Sequence, residues 1–95
     1  MSFLDHFRQK KEDEAARLAR LLKTGRIAGG NVVEVKFDER GCISRIFYNY
    51  SVSGVEYESS QELNADQLTR EADYTADARI IIRFDPYQPG NSIVV

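Results

Sequence analysis

The stretch from Ile43 to Ser60 constrains the fold most, because it predicts its own strand pairing. It contains four aromatic side chains and is interrupted by Ser53-Gly54, a dipeptide typical of a two-residue hairpin turn. Such a turn pairs the residues that flank it and so sets the register of both strands. The predicted strands are Cys42–Val52 and Val55–Glu62. The predicted pairs are Val52–Val55, Tyr50–Tyr57, Tyr48–Ser59 and Ile46–Gln61.

An earlier hairpin is predicted on the same grounds. Residues 32–37 alternate apolar and charged side chains, as a half-buried strand does, and Asp38–Gly41 predicts a four-residue turn. Its predicted pairs are Phe37–Cys42, Val35–Ser44 and Val33–Ile46. Together the two hairpins predict one apolar face made of Val33, Val35, Phe37, Ile46, Tyr48, Tyr50, Val52, Val55 and Tyr57. The opposite face is predicted to align Glu34, Arg45 and Glu62 in a charge row.

A helix is predicted from Ser2 to Thr24, ending at Gly25. Its apolar stripe is interrupted in the middle by Lys11 and Glu14. Two arrangements are open: the helix docks in two short patches, or its first turns project from the body. In the second arrangement Phe3, Leu4 and Phe7 form an exposed apolar anchor for a partner. The stripe consists of Leu4, Phe7, Leu18 and Leu22.

The C-terminal third predicts a short helix and two strands. Asn64 caps the helix 64–72, with Gln67 completing a capping box. An apolar strand follows at Arg79–Phe84, then a proline-containing turn, then a strand at 92–95. Five strands with a helix between the third and fourth are typical of an OB-like small barrel, and the alternative is a curled antiparallel sheet. We therefore predict a mainly β (α+β) single domain over 1–95, with the N-terminal helix in 1–25 and the β barrel or sheet in 26–95.

Two motifs carry a family resemblance. The hairpin reads Tyr48-x-Tyr50-x-Val52-x-Gly54-x-x-Tyr57, and the ending reads Asp85-Pro86-x-x-Pro89-x-x-Ser92. Together they resemble a mostly bacterial family, the domain of unknown function numbered three-five-nine-two, over about residues 29–95. The resemblance implies a small β domain and supplies no catalytic residues. The chain departs from the family in having Phe84 where tyrosine is frequent, and in lacking the transmembrane helices that flank many members.

The sequence contains few residues suited to catalysis or metal binding. His6 and Cys42 are the only histidine and the only cysteine, so neither a zinc ligand set nor a catalytic triad can be assembled from them. The carboxylates lack the spacing of a calcium loop. We predict no catalytic residues, no metal site and no cofactor.

Charge and patterning narrow the function classes. Residues 1–26 have a net charge of +3, and the remainder has −5. Tyr48 and Tyr50 are predicted to face the core and the opposite face is acidic, which disfavours nucleic-acid binding. We predict a non-enzymatic, cytoplasmic module for protein interaction or assembly, with a protein partner or a second copy bound through the N-terminal helix. The alternative is a peripheral membrane module, or a small-ligand or nucleic-acid-binding OB-like module, although membrane contact is weakened by the interrupted stripe.

Overall fold

The computed structural model describes residues 13–95 as a helix packed on a five-stranded antiparallel sheet. The sheet order is β3-β2-β1-β4-β5, and the sheet curls into a half-barrel. The prediction of a mainly β fold with an N-terminal helix and a short helix between the third and fourth strands is confirmed. The elements are α1 (Glu14–Thr24), β1 (Arg26–Phe37), β2 (Ile43–Val52), β3 (Val55–Glu62), α2 (Ala65–Leu68), a 3-10 turn (Glu71–Tyr74), β4 (Arg79–Phe84) and β5 (Ser92–Val94).

The β2–β3 hairpin has the predicted register. Val52 pairs with Val55, and the ladder continues through all the predicted partners to Ile46–Gln61. Ser53 and Gly54 both have positive φ, 52° and 82°, as the turn that matches strand twist requires.

The predicted β1–β2 register is wrong. Phe37 pairs with Ile43, Val35 pairs with Ile46, and bulges interrupt the ladder after Val32 and after Lys36. The loop is longer than predicted because Asp38 Oδ1 accepts the backbone N–H groups of Arg40 and Cys42, at 2.9 Å and 3.0 Å.

The bulges change which side chains reach the core. Val32 is buried, whereas Val33 and Phe37 are 53% and 61% exposed, contrary to prediction. Glu34 aligns with Phe47. The predicted charge row therefore shrinks to the pair Arg45–Glu62, at 3.2 Å.

The core lies inside the half-barrel and is built from alternate residues of the strands, with contributions from the segment after β3. Its fully buried members include Ile46, Tyr48 and Ile82. Tyr74, in the 3-10 turn, packs against these core residues. Among the described residues, the buried members of this cluster are Val32, Ile43, Ile46, Tyr48, Tyr50, Leu63, Tyr74, Ile80, Ile82, Phe84 and Val94.

Helix α1 packs on the outer face of the sheet, over β4 and β5. Asp13 caps it by accepting the N–H of Ala16 at 2.7 Å. Leu21 is its one fully buried residue, worth about 2 kcal/mol of transfer free energy. Leu22, a member of the predicted apolar stripe, is 53% exposed and does not face the sheet as Leu21 does. The helix ends at Gly25, where the backbone becomes extended, and only glycine fits there because a Cβ would collide with the carbonyl oxygen of Leu21.

Candidate functional site

Strand β5 borders the sheet, and side chains cover its outward backbone groups. The Val94 N–H donates to Gln61 Oε1 at 2.9 Å. The Val94 carbonyl accepts from Nε2 of Gln61 and from Nε2 of Gln67, at 3.2 Å and 2.9 Å. The Ser92 carbonyl accepts from Arg17 Nη1 at 3.0 Å. A further strand would need these groups, so β5 is closed to strand addition.

Gln67 is placed for this contact by its own helix. Its backbone N–H donates to Asn64 Oδ1 at 2.8 Å, and its side-chain oxygen accepts the N–H of Asn64 at 3.1 Å, which confirms the predicted capping box. The same amide group then donates to Val94 from a position that is 3% exposed. One side chain therefore caps α2 and covers β5.

Strand β3 forms the other border, and no described residue covers its outward backbone groups. The pair Val52–Val55 flanks a two-residue turn, so alternate residues from Val55 bond to β2 and the residues between them face outward. The outward positions include Glu56, Glu58 and Ser60. Among residues 13–95, nothing pairs with their backbone groups on that side. The two borders of the half-barrel are thus unlike each other.

An open cleft of about 780 Å³ lies between the two borders and α1. Three arginines line it, and each has an acidic partner that also lines it: Arg17 with Glu14 at 2.7 Å, Arg45 with Glu62 at 3.2 Å, and Arg70 with Asp66 at 3.2 Å. The hydrogen bond from Arg17 lowers the pKa of Glu14 and keeps it ionised. Because these charges are neutralised pairwise, the cleft has little attraction for a small anion.

Aliphatic side chains form an exposed surface beside the cleft, which we call the outer apolar surface and define as Leu22, Ile27, Ile81 and Val95. Leu22 and Val95 line the same cleft, and the Val95 N–H donates to the Ile81 carbonyl at 3.0 Å. Ile27 is a diagonal neighbour of Ile81, since Gly29 pairs with Ile81. The four side chains are 53%, 63%, 51% and 37% exposed in that order. Leu22 belongs to α1, Ile27 to β1 and Ile81 to β4, and Val95 follows the last residue of β5.

The two sequence motifs meet inside the half-barrel. The Tyr48 hydroxyl lies 2.8 Å from Ser92 Oγ, and the Tyr50 hydroxyl donates to the Pro89 carbonyl at 2.7 Å. The rings of Tyr48, Tyr50 and Tyr57 stack in sequence at 5.9 Å and 5.6 Å. Burial raises the pKa of Tyr50. Tyr48 and Tyr50 are buried and hydrogen-bonded, so they hold the C-terminal turn in place and their rings are not accessible for base stacking.

Asp85 anchors that turn to α1. Its Oδ1 accepts the N–H groups of Tyr87 and Gln88, at 2.8 Å and 3.3 Å, and Arg20 Nη1 donates to its Oδ2 at 3.0 Å. The backbone bond from Tyr87 and the Arg20 guanidinium hold the pKa of Asp85 below its ordinary value of 3.8. The motif residue therefore has a structural role.

The predicted contact residues Phe3, Leu4 and Phe7, and also His6, lie outside the described residues. Cys42 is half-buried in the β1–β2 loop. Within residues 13–95, no group of three His, Cys, Asp or Glu side chains is placed to hold a metal ion.

Gln61 and Gln67 at the β5 border were missed as border residues by sequence reasoning. The available signal was Gln61 itself, a polar residue opposite Ile46 on the face predicted to be apolar.

Comparisons of the chain with protein-family models, curated proteins and solved structures found no match. The family resemblance therefore stays a prediction. None of the helices between residues 13 and 95 has the length and apolar character needed to cross a membrane.

Proposed function

We propose that this chain is a non-enzymatic assembly module whose copies associate through the outer apolar surface and the N-terminal segment. The observation that carries the proposal is the grouping of four exposed aliphatic side chains, Leu22, Val95, Ile81 and Ile27, on α1, on β1, on β4 and directly after β5. Exposed aliphatic side chains grouped in this way are typical of interaction sites.

A second copy is the partner to which the proposal commits. A symmetric contact places the same surface on both partners, so each side chain meets its own kind. Apolar side chains tolerate that pairing, whereas the acidic border at β3 would place like charges opposite each other. The apolar surface is therefore the part of the described chain best suited to self-association.

The N-terminal anchor is attached close to this surface. Asp13 caps α1, and the first residue of the helix, Glu14, lines the same cleft as Leu22 and Val95. Phe7 precedes Asp13 by six residues, so their separation is at most about 20 Å. Phe3, Leu4 and Phe7 are therefore proposed to enlarge the contact made by the outer apolar surface.

The test is the molar mass of the full chain as a function of concentration, measured by light scattering after size exclusion. We expect a dimer that dissociates on dilution. Leu22→Glu, Ile81→Glu and a chain lacking residues 1–10 should each shift the equilibrium to monomer by at least tenfold. Val55→Glu is the matched control, because Val55 is 52% exposed but lies on β3. A monomer at every concentration, or equal loss with Val55→Glu, would refute the proposal.

A further inference from the structure

We propose that the β3 border binds an extended peptide segment with lysine or arginine at alternate positions, as an added sixth strand. The inference does not depend on the outer apolar surface, which lies on other elements. It rests on three observations about β3: its unpaired backbone, the contrast with β5, and its charge.

The backbone of β3 presents a free pairing edge. Over Val55–Ser60, the outward N–H and C=O groups belong to Glu56, Glu58 and Ser60, and they meet no partner in the part of the chain that is described. Such an edge accepts a strand through main-chain hydrogen bonds. Six residues at about 3.4 Å each make a binding edge roughly 20 Å long.

The opposite border shows how this fold covers an edge. Side chains of Gln61, Gln67 and Arg17 bond the outward backbone groups of β5. β3 has no comparable cover over Glu56–Ser60 within the described residues. Because Gln61 reaches across to Val94, an added strand has to end near Ser60. The site is thus confined to residues 55–60, the part of β3 next to the hairpin turn.

The charge on β3 identifies the occupant. Glu56 and Glu58 project from the outer face of the strand, and Ser51 and Asn49 are their neutral neighbours on β2. The Ser51 hydroxyl donates a hydrogen bond to Glu56 Oε1 at 2.7 Å. Oppositely charged side chains placed directly across a ladder are favourable. A lysine or arginine opposite each glutamate satisfies this condition.

A second copy of β3 does not place opposite charges across the ladder. Antiparallel pairing centred on Tyr57 places Glu56 opposite Glu58, and pairing centred on Glu58 places that residue opposite itself. Like charges directly opposite destabilise a ladder. The occupant is therefore a basic strand of another protein, and not β3 of a second copy.

The probe is the peptide acetyl-Thr-Lys-Val-Lys-Val-Lys-Thr-amide, titrated into the full chain and followed by backbone NMR. We expect saturable binding that weakens with salt. The amides of Glu56, Glu58 and Ser60 should gain exchange protection, and those of Tyr57 and Ser59 should change less, because they already bond to β2. The same peptide with glutamate for lysine should bind at least tenfold more weakly.

Two changes separate strand addition from charge attraction. Glu58→Pro removes an outward N–H without breaking the β2 ladder and should reduce affinity at least tenfold, whereas Glu58→Thr should reduce it only two- to fivefold. A probe with alternate N-methylated amides tests the same point with the protein unchanged, and it should not bind. Equal binding of the methylated and unmethylated probes, or no binding of the lysine probe at low salt, would overturn the inference. Leu22→Glu should leave probe binding unchanged, so this result is separate from the fate of the assembly proposal.

Discussion

The carboxylate of Asp85 is buried and accepts hydrogen bonds from three donors. Because these bonds favour its ionised form, its contribution to stability depends on pH. Its pKa in the folded chain lies below the ordinary value of 3.8 because Tyr87 N–H and Arg20 stabilise the ionised form. A carboxyl group with a lowered pKa stabilises the fold above its unfolded pKa, and the stabilisation is lost as the pH falls through the folded pKa. Asp85 therefore contributes fully at neutral pH and progressively less below about pH 4.

Replacing this carboxylate should lower stability in a pH-dependent way. We expect Asp85→Asn to cost about 1–3 kcal/mol of unfolding free energy at pH 7, the usual cost of removing hydrogen bonds to a charged group. The difference from the wild type should narrow when urea unfolding is repeated at pH 3. Asp73→Asn, at an exposed position, should change stability by less than about 0.5 kcal/mol. A cost that is constant between pH 7 and pH 3 would show that the charge of Asp85 is not what matters.

At the scale of elements, the two hairpins show what can be predicted from the sequence. Ser53-Gly54 adopts a turn with positive φ at both residues, and only one register is compatible with it, so the β2–β3 pairing was predictable. In the first hairpin, the outcome depends on Asp38, whose side chain bonds two backbone groups and adds a residue to the loop. Alternation of side chains does not reveal such bonds. It also does not reveal the bulge between Val32 and Glu34 that leaves Val33 exposed.

The loop chemistry of this hairpin can be tested directly. Asp38→Ala should cost about 1 kcal/mol of unfolding free energy, since two side-chain to backbone hydrogen bonds at an exposed site are lost. The amides of Arg40 and Cys42 should exchange with solvent at least tenfold faster, as measured by NMR. Glu39→Ala, in the same loop, is the control and should leave both amides unchanged. Unaltered exchange in the Asp38 variant would mean that the backbone alone holds the longer loop.

The candidate site was less predictable than the fold, because it depends on where the sheet ends. The sequence predicts the strands and the capping residue Asn64, but not that β5 closes one border beside α1. The roles of Gln61 and Gln67 follow only once Val94 is brought to them by the curl of the sheet. The predicted contact residues Phe3, Leu4 and Phe7 remain predictions, because the described residues begin at Asp13.

At the scale of the whole molecule, the half-barrel is held at its gap by Gln61, which bonds both backbone groups of Val94. Gln61→Leu removes both bonds at similar side-chain volume and should cost about 1–3 kcal/mol of unfolding free energy, because the Val94 N–H loses its partner at a buried position. Exchange of the Val94 amide should accelerate, and the uncovered β5 border should promote association at high protein concentration.

Gln61→Glu separates the two bonds that Gln61 makes. A carboxylate oxygen can still accept the Val94 N–H but cannot donate to the Val94 carbonyl, which keeps its bond from Gln67. Protection of the Val94 amide should therefore persist in this variant and be lost in Gln61→Leu, as measured by hydrogen exchange. Glu62→Gln, one position along β3, controls for a general change at the cleft. If Gln61→Leu leaves the Val94 amide protected, then the gap is closed by the packing of β5 against the core, and the side-chain cover of this border is dispensable.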